Sequence, residues 1–484
     1  MISVYNKKQK TFHKILIIIC LLSLSISAFY IRSDNFRKYY KRGGISHDEN
    51  RYCLLGLRLK GNILNYTLQD FEAIYNFDQE RIDREYFRDP QTFQLYFHPP
   101  LFSMLLAAVF KIFGERALAA IAVPIIFNIL TIWVTCALAS RLISPKAGLV
   151  SAFLLFLDPI NVVSSQKLWM DTTLSFFTLF SIYLFVRALK NESVFFFFTS
   201  GFVCGLAALT KYPGILVVGG FFLYALLMET HLFRKPRFYL SLLMPFLVML
   251  PWVYWNYHYY GFDIISRIDG MFITFERTRG VILISGILSV FFAITWIRFL
   301  KYSQREALKG FVKNQCGRLR VSVLIVFGCL VILQGWPFLL SSLFLFHLPE
   351  VSWKMGFFDN APRLFYLYRL MEYSILYLFA FLSFFIKGQT EDRRMALLKI
   401  SAFFILIFYT FWGFFQCRYI LAATPMLIIL SVHILAVLKR NMANGSNIRI
   451  KAGNLMLDVL VIFAVLRMMR IDVLLAFPND MCYF

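Results

Sequence analysis

Two adjacent carboxylates, Asp48 and Glu49 in the stretch His47-Asp48-Glu49-Asn50-Arg51-Tyr52, are the first residues along the chain that can do chemistry. One can act as a base while the other serves as a hydrogen-bonding or metal-binding partner. The same pattern suits the first turn of a helix, where an acid caps the backbone, so spacing alone leaves both readings open. A second group is Tyr96-Phe97-His98-Pro99-Pro100-Leu101. Prolines fit a helix's first turn and a helix N-terminus attracts anions, so His98 can meet a phosphate there. A plain helix start explains the prolines equally well. A third group is Leu157-Asp158-Pro159, followed by Lys167-Leu168-Trp169-Met170-Asp171. If the second part is helical, Lys167 and Asp171 lie one turn apart on one face, as a structural ion pair or a functional one. Two isolated cations complete the set: Lys211, inside Gly205 to Gly214, and Arg418, inside Gln416-Cys417-Arg418-Tyr419.

The elements that must position these residues are membrane helices. Of 484 residues, 59% are hydrophobic and 16% charged, against about 45–50% and about 25% in soluble domains. Apolar runs long enough to cross a bilayer, about 20 residues each, recur along the chain. The net charge of +23 would suggest nucleic acid in a soluble protein. Here it follows from the Lys and Arg excess of cytoplasmic loops, and no Gly-rich phosphate loop or basic–aromatic nucleic-acid motif accompanies it. The eight cysteines lie singly, without a CxxC or Cys/His cluster, which argues against a zinc ribbon or a disulfide scaffold.

Residues 1–12 form a basic N-terminus, and the apolar run over 13–31 is longer than a signal peptide requires, which predicts an uncleaved first transmembrane helix. Residues 32–116 form an outer loop with juxtamembrane helices. Its apolar stretch, 99–113, is too short for an ordinary span and suits an interfacial or re-entrant helix. With that stretch uncounted, spans fall near 117–141, 146–160, 171–189, 194–210, 213–230, 237–257 and 280–300. A basic cytoplasmic loop over 301–320 follows, then C-terminal spans within 321–484 near 321–345, 368–387, 396–415, 419–438 and 453–470. Every strongly basic short loop then lies inside; counting 99–113 as a span would put them all outside. The expectation is an all-α polytopic membrane protein of about 13 transmembrane helices, N-terminus in and C-terminus out. The same topology gathers Asp48, Glu49, Asp158, Asp171, Asp263, Asp269, Glu276, Glu350 and Asp359 on or near the outer face, although none was used to derive it. Lys167, Lys211 and Arg418 break the charge rule there, and together they can hold a phosphate or diphosphate headgroup. A sequon at Asn65 also falls outside, whereas those at Asn191 and Asn444 fall inside.

Taken in order, a basic N-terminus, a first span and Asp48-Glu49-x-Arg51-Tyr52 resemble the C-type (GT-C) glycosyltransferases, in the branch of the protein mannosyltransferases and aminoarabinose transferases. His98-Pro99-Pro100-Leu101 is similar to that branch's [His/Lys]-Pro-Pro-Leu motif, and the segments around Asp158 to Asp171, Gly205 to Gly214 and Arg418-Tyr419 are similar too. The resemblance is best over 13–230. It implies inverting transfer of a sugar from a polyprenyl-phosphate donor to a glycolipid, polysaccharide or protein acceptor at the outer membrane face. It implies Asp48 as the base that activates the acceptor, with Glu49 in support. It implies His98, Lys167, Lys211 and Arg418 as donor-phosphate contacts, and Asp158 or Asp171 as an acid helping to bind a divalent metal ion. His98 stands where aminoarabinose transferases carry lysine and matches the protein mannosyltransferases. The lack of a luminal β-trefoil domain favours a bacterial inner-membrane enzyme with a periplasmic site. A transporter is the rival class; it would place ionisable residues near span centres, whereas these sit near span ends.

Overall fold

The computed structural model describes residues 2–41, 47–63, 66, 98–260, 365–384, 393–410, 416–443 and 448–475, and among them it is helical throughout, with no strand. The expected spans 280–300 and 321–345, the loop 301–320, most of the segment 64–97 with Asn65, and Asp263, Asp269, Glu276, Glu350 and Asp359 lie outside the described residues. Four described helices are long and apolar enough to cross a membrane, or five if one bent pair forms a single span. The fold is therefore that of a helical membrane protein.

Helix α1 (Ile2–Lys41) contains an apolar span over Ile15–Tyr40. It runs ten residues beyond the end expected at residue 31, because Arg32 is satisfied inside the protein. Only 1% exposed, Arg32 donates to Ser165 Oγ at 2.8 Å and to the Phe156 carbonyl at 3.0 Å. Helix α2 (His47–Gly61) and helix α3 (Leu101–Phe113) pack on each other. At 13 residues α3 is about 20 Å long, short of the roughly 30 Å hydrocarbon core, and it buries Phe102, Leu106 and Phe110 on one face.

Helix α4 (Ala117–Leu142) packs on α1 and α3, and also on α5 (Pro145–Phe156) and α7 (Asp171–Asn191). Over the stretch expected to span at 146–160 the helix is broken. Helix α5 ends at Phe156, and α6 (Pro159–Ser165) leaves it at 59°. The Asp158-Pro159 pair explains the break: Asp158 caps α6 by accepting from the Asn161 N–H at 2.9 Å, and proline occupies the first turn. Helix α8 (Val194–Thr210) lies against α7 and α10 (Pro236–Tyr260), while α9 (Leu216–Met228) follows a short 3-10 turn at Tyr212–Ile215. Two glycines one turn apart on α8 permit the close approach to α10. A Cβ on Gly201 would stand 2.6 Å from the Leu240 carbonyl oxygen, and one on Gly205 would stand 2.5 Å from Val248 Cβ.

A separate compact unit spans residues 262–375 and 410–415, of which helix α11 (Phe365–Tyr373) is described. The first unit resumes with α12 (Leu376–Leu382), α13 (Met395–Thr410), a 3-10 turn at Cys417–Ala422, α14 (Thr424–Ala443) and α15 (Ile448–Leu475). Helix α14 packs on α12 and α5, and the Cys417–Ala422 turn lies against α6 and α7.

Candidate active site

The first turn of α2 carries Asp48 and Glu49, where the helix dipole favours acids. Successive helical residues point about 100° apart, and the two carboxylates diverge accordingly. Glu49 is fully buried. One of its oxygens accepts from the Leu168 backbone N–H at 2.8 Å and the other from the Tyr39 hydroxyl at 3.1 Å. It thus ties the end of α1 and the start of α2 to the α6–α7 connection. A second tie is made by Asn35, which donates to Gln166 Oε1 at 2.9 Å. Asp48 points elsewhere, with its Oδ2 2.6 Å from Nη2 of Arg418 and its side chain still 31% exposed.

Arg418 comes from the 3-10 turn before α14 and is buried apart from 9% of its surface. Its guanidinium lies 4.4 Å from the ring centre of Trp169 and 5.5 Å from that of Tyr419, while Nε donates to Gln416 Oε1 at 2.7 Å. The ammonium of Lys167 lies 4.6 Å from the Trp169 ring centre and 5.0 Å from that of Tyr39. Lys211 lies 4.2 Å from the Tyr419 ring centre and pairs with Asp171 at 2.8 Å. Lys167, Trp169, Arg418, Tyr419 and Lys211 therefore alternate as cation and aromatic ring along one ladder. Aromatic faces attract cations by about 0.5–2 kcal/mol each when water is partly excluded, which helps hold like charges close. The three cations expected from the sequence to act together are brought together, and two carboxylates oppose them.

The helical Lys167–Asp171 pair is not formed. Residues 166–170 are non-helical and α7 begins at Asp171, so the two side chains do not share a helix face, and Asp171 pairs with Lys211 from the end of α8. Asp158 stands in a different network: its second oxygen accepts from the Tyr377 hydroxyl, and it caps the opposite end of α6 from Lys167. Seven helical residues separate the two ends by about 10 Å. Asp158 and Asp171, either of which was expected as an acid helping to bind a divalent ion, therefore have separate partners, Tyr377 with the Asn161 N–H and Lys211. Among the described residues no three His, Cys, Asp or Glu side chains gather as metal ligands.

His98 sits at the entry to α3, where the Tyr66 hydroxyl donates to its carbonyl at 2.9 Å and its ring meets that of Tyr52 edge-on at 5.4 Å. Its Nδ1 is buried without a hydrogen-bond partner among the described residues. Burial first, and then the charge of Arg51, push its pKa down to about 3, so the imidazole is neutral at physiological pH. For Asp48, burial alone would raise the pKa. The charge and hydrogen bond of Arg418 outweigh it, with help from Arg51, and hold the carboxyl below its ordinary range. Burial works against the Arg418 cation, but Asp171 and Asp48 keep it firmly charged. Burial, followed by the nearby Asp48 charge, drives the Tyr52 phenol well above its usual value. Tyr39, Trp169 and Tyr419 were not singled out by sequence reasoning; the only available signal was their position one or two residues from a cation, as in Lys167-Leu168-Trp169 and Arg418-Tyr419.

Residues 97–255 match the family model described as dolichyl-phosphate-mannose-protein mannosyltransferase. Among solved structures the chain is similar to ArnT from Cupriavidus metallidurans bound to undecaprenyl phosphate, with a TM-score of 0.53 at 13% identity, covering 95% of this chain and 76% of that one. The chain has the GT-C glycosyltransferase fold. It is also similar to the apo oligosaccharyltransferase of Archaeoglobus fulgidus, with a TM-score of 0.52 at 14% identity, over 95% of this chain and 57% of that one. No curated protein sequence matches significantly. The GT-C resemblance read from the ordered motifs is borne out at this level, and the family match covers His98, Asp158, Lys167, Asp171 and Lys211.

Proposed function

We propose that this GT-C protein transfers a sugar from a polyprenyl-phosphate donor to a glycolipid, polysaccharide or protein acceptor at the periplasmic face of a bacterial inner membrane, with inversion. The observation that carries this reading is the ladder of Lys167, Arg418 and Lys211 beside a half-accessible Asp48. The undecaprenyl phosphate bound by the bacterial neighbour supports the donor class, and the basic bias of the opposite loops supports the outer placement.

In this scheme the acceptor O–H attacks the anomeric carbon from the side opposite the phosphate. The new glycosidic bond forms as the bond from that carbon to the phosphate oxygen breaks, and the proton passes to Asp48. The departing phosphate needs fixed cations more than an acid, and Arg418, Lys167 and Lys211 supply them without reorganising at the moment of reaction. His98 contributes a neutral nitrogen to the phosphate, and Glu49 holds the Lys167–Trp169 loop in place. Asp171 holds Lys211 in place through their ion pair.

The test is transfer by wild type and Asp48→Asn in membranes, against a panel of polyprenyl-phosphate sugars. Sugar release by wild type that collapses in the variant is expected. Undiminished transfer in Asp48→Asn would remove the proposed base, and no turnover with any donor, alongside solute uptake, would point to transport.

A further inference from the structure

Trp169 is 5% exposed, and its indole Nε1 is buried with no acceptor among the described residues. Buried N–H donors without a partner are rare because they forfeit a hydrogen bond to water. Lys167 and Arg418 both lie against the ring that carries this donor, at 4.6 and 4.4 Å from its centre. Two features hold the ring there. Its backbone N–H donates to the Lys167 carbonyl at 2.8 Å, and the adjacent Leu168 N–H is anchored on buried Glu49. The indole is a rigid plate with a cation at each of two contacts and a vacant donor at its edge. Two other polar clusters have partners that account for them: Asp158 is used in capping and by Tyr377, and Glu192 is paired with Lys235 and Arg237.

We propose that Trp169 is a positioning and binding residue of the phosphate site, its ring spacing Lys167 from Arg418 and its Nε1–H donating to a phosphate oxygen of the bound carrier. This rests on the donor reading above and deepens it. Like-charged side chains separate freely in water; against one aromatic plate they are held where a single tetrahedral anion can reach both. The anion that bridges them meets the indole edge as a third, neutral donor. A neutral donor adds directionality without adding further like-charge repulsion.

The test uses the full chain in lipid nanodiscs with undecaprenyl phosphate as the probe, and undecaprenol as the phosphate-free control. Trp169→Phe keeps a ring face and loses the N–H; Trp169→Leu loses both. Affinity for the phosphate is expected to fall about tenfold in Trp169→Phe, the loss of one hydrogen bond to a charged acceptor, and further in Trp169→Leu. The indole 15N–H resonance that disappears in Trp169→Phe should move downfield when wild type takes up the phosphate, and stay still with undecaprenol. A merely structural tryptophan would not give that shift. Equal affinity in wild type and Trp169→Phe, with a stationary resonance, overturns the inference about Trp169 while leaving the carrier reading intact. Failure of wild type itself to bind undecaprenyl phosphate overturns both.

Discussion

Asp48→Asn should separate binding from rate. Asp48 holds the Arg418 guanidinium at 2.6 Å, with the two side chains 31% and 9% exposed. A phosphate approaching Arg418 must therefore compete with a carboxylate already in place. The pair lies between a surface ion pair, worth about 0.2–1 kcal/mol, and a buried one whose disruption costs about 3–5 kcal/mol. A value near 1 kcal/mol fits its partial exposure. Asparagine removes the charge but keeps an oxygen able to accept from Arg418, and Asp171 still opposes the cation. The donor carrier should then bind about fivefold more tightly, because about 1 kcal/mol of competition is gone. Turnover should fall about 100- to 10,000-fold, the usual worth of a positioned base.

Steady-state kinetics with a saturating acceptor, paired with direct binding of undecaprenyl phosphate, read the two effects separately. Thermal unfolding in detergent checks that the fold survives. A variant with KM for the donor lowered and kcat collapsed agrees with the scheme. Binding and turnover lost by the same factor would show that Asp48 is a structural counterion to Arg418. A turnover within tenfold of wild type would show that another group takes the proton.

Glu49→Ala leaves the Leu168 N–H and the Tyr39 hydroxyl without their buried acceptor; a loss of about 1–3 kcal/mol in unfolding free energy is expected, together with weaker carrier binding, whereas Glu49→Gln should recover most of both. Because His98 is neutral down to about pH 3, carrier affinity should not titrate with this residue between about pH 5 and 8; a step near the ordinary histidine value that vanishes in His98→Gln would refute the neutral assignment. Gly205→Val drives a side chain into Val248, 2.5 Å from the added Cβ, and should lower the melting temperature and split α8 from α10; an unchanged melting curve would show that the contact yields easily. The Asp48 pKa is lowered in the free protein by Arg418, so the carboxylate form persists below the ordinary range and the acid limb of kcat/KM should lie low. Once phosphate draws Arg418 away, burial is less opposed and the pKa rises, so the acid limb of kcat should lie at higher pH; coincident limbs would mean that the pair survives in the complex.

The site was legible where the sequence violated a general rule. Lys167, Lys211 and Arg418 stood out because cations at an outer face defy the charge bias, and the fold does bring them onto one ladder. The adjacent acids of α2 stood out by type, but their division of labour did not: a run of residues cannot show that Glu49 faces a loop more than 100 positions away. The Lys167–Asp171 expectation failed because the helix begins at Asp171, which turns the i,i+4 template off; the actual partner lies 40 residues downstream. Asp158 was weighed as a metal ligand, although Asp followed by Pro is also the signature of a capped helix start. Trp169 and Tyr419 were hidden by abundance, since 18% of the chain is aromatic and only packing distinguishes a ring that carries a cation from one that faces lipid.

Three cations gathered beside a membrane need counterions, since unpaired charge is expensive there. Asp171 serves Lys211 and Asp48 serves Arg418. The two roles are unequal. Asp171 is 2% exposed and closed off behind its lysine, whereas Asp48 is the open member at 31% exposed. The carboxylate paired with Arg418 is therefore the one proposed to take the proton. In the proposed scheme a phosphate on Arg418 would displace Asp48 and leave it a stronger base at the moment a leaving group is in place. Filling the phosphate site and releasing the base would then be one event, and an acceptor arriving before the donor would meet a carboxylate still bound to arginine.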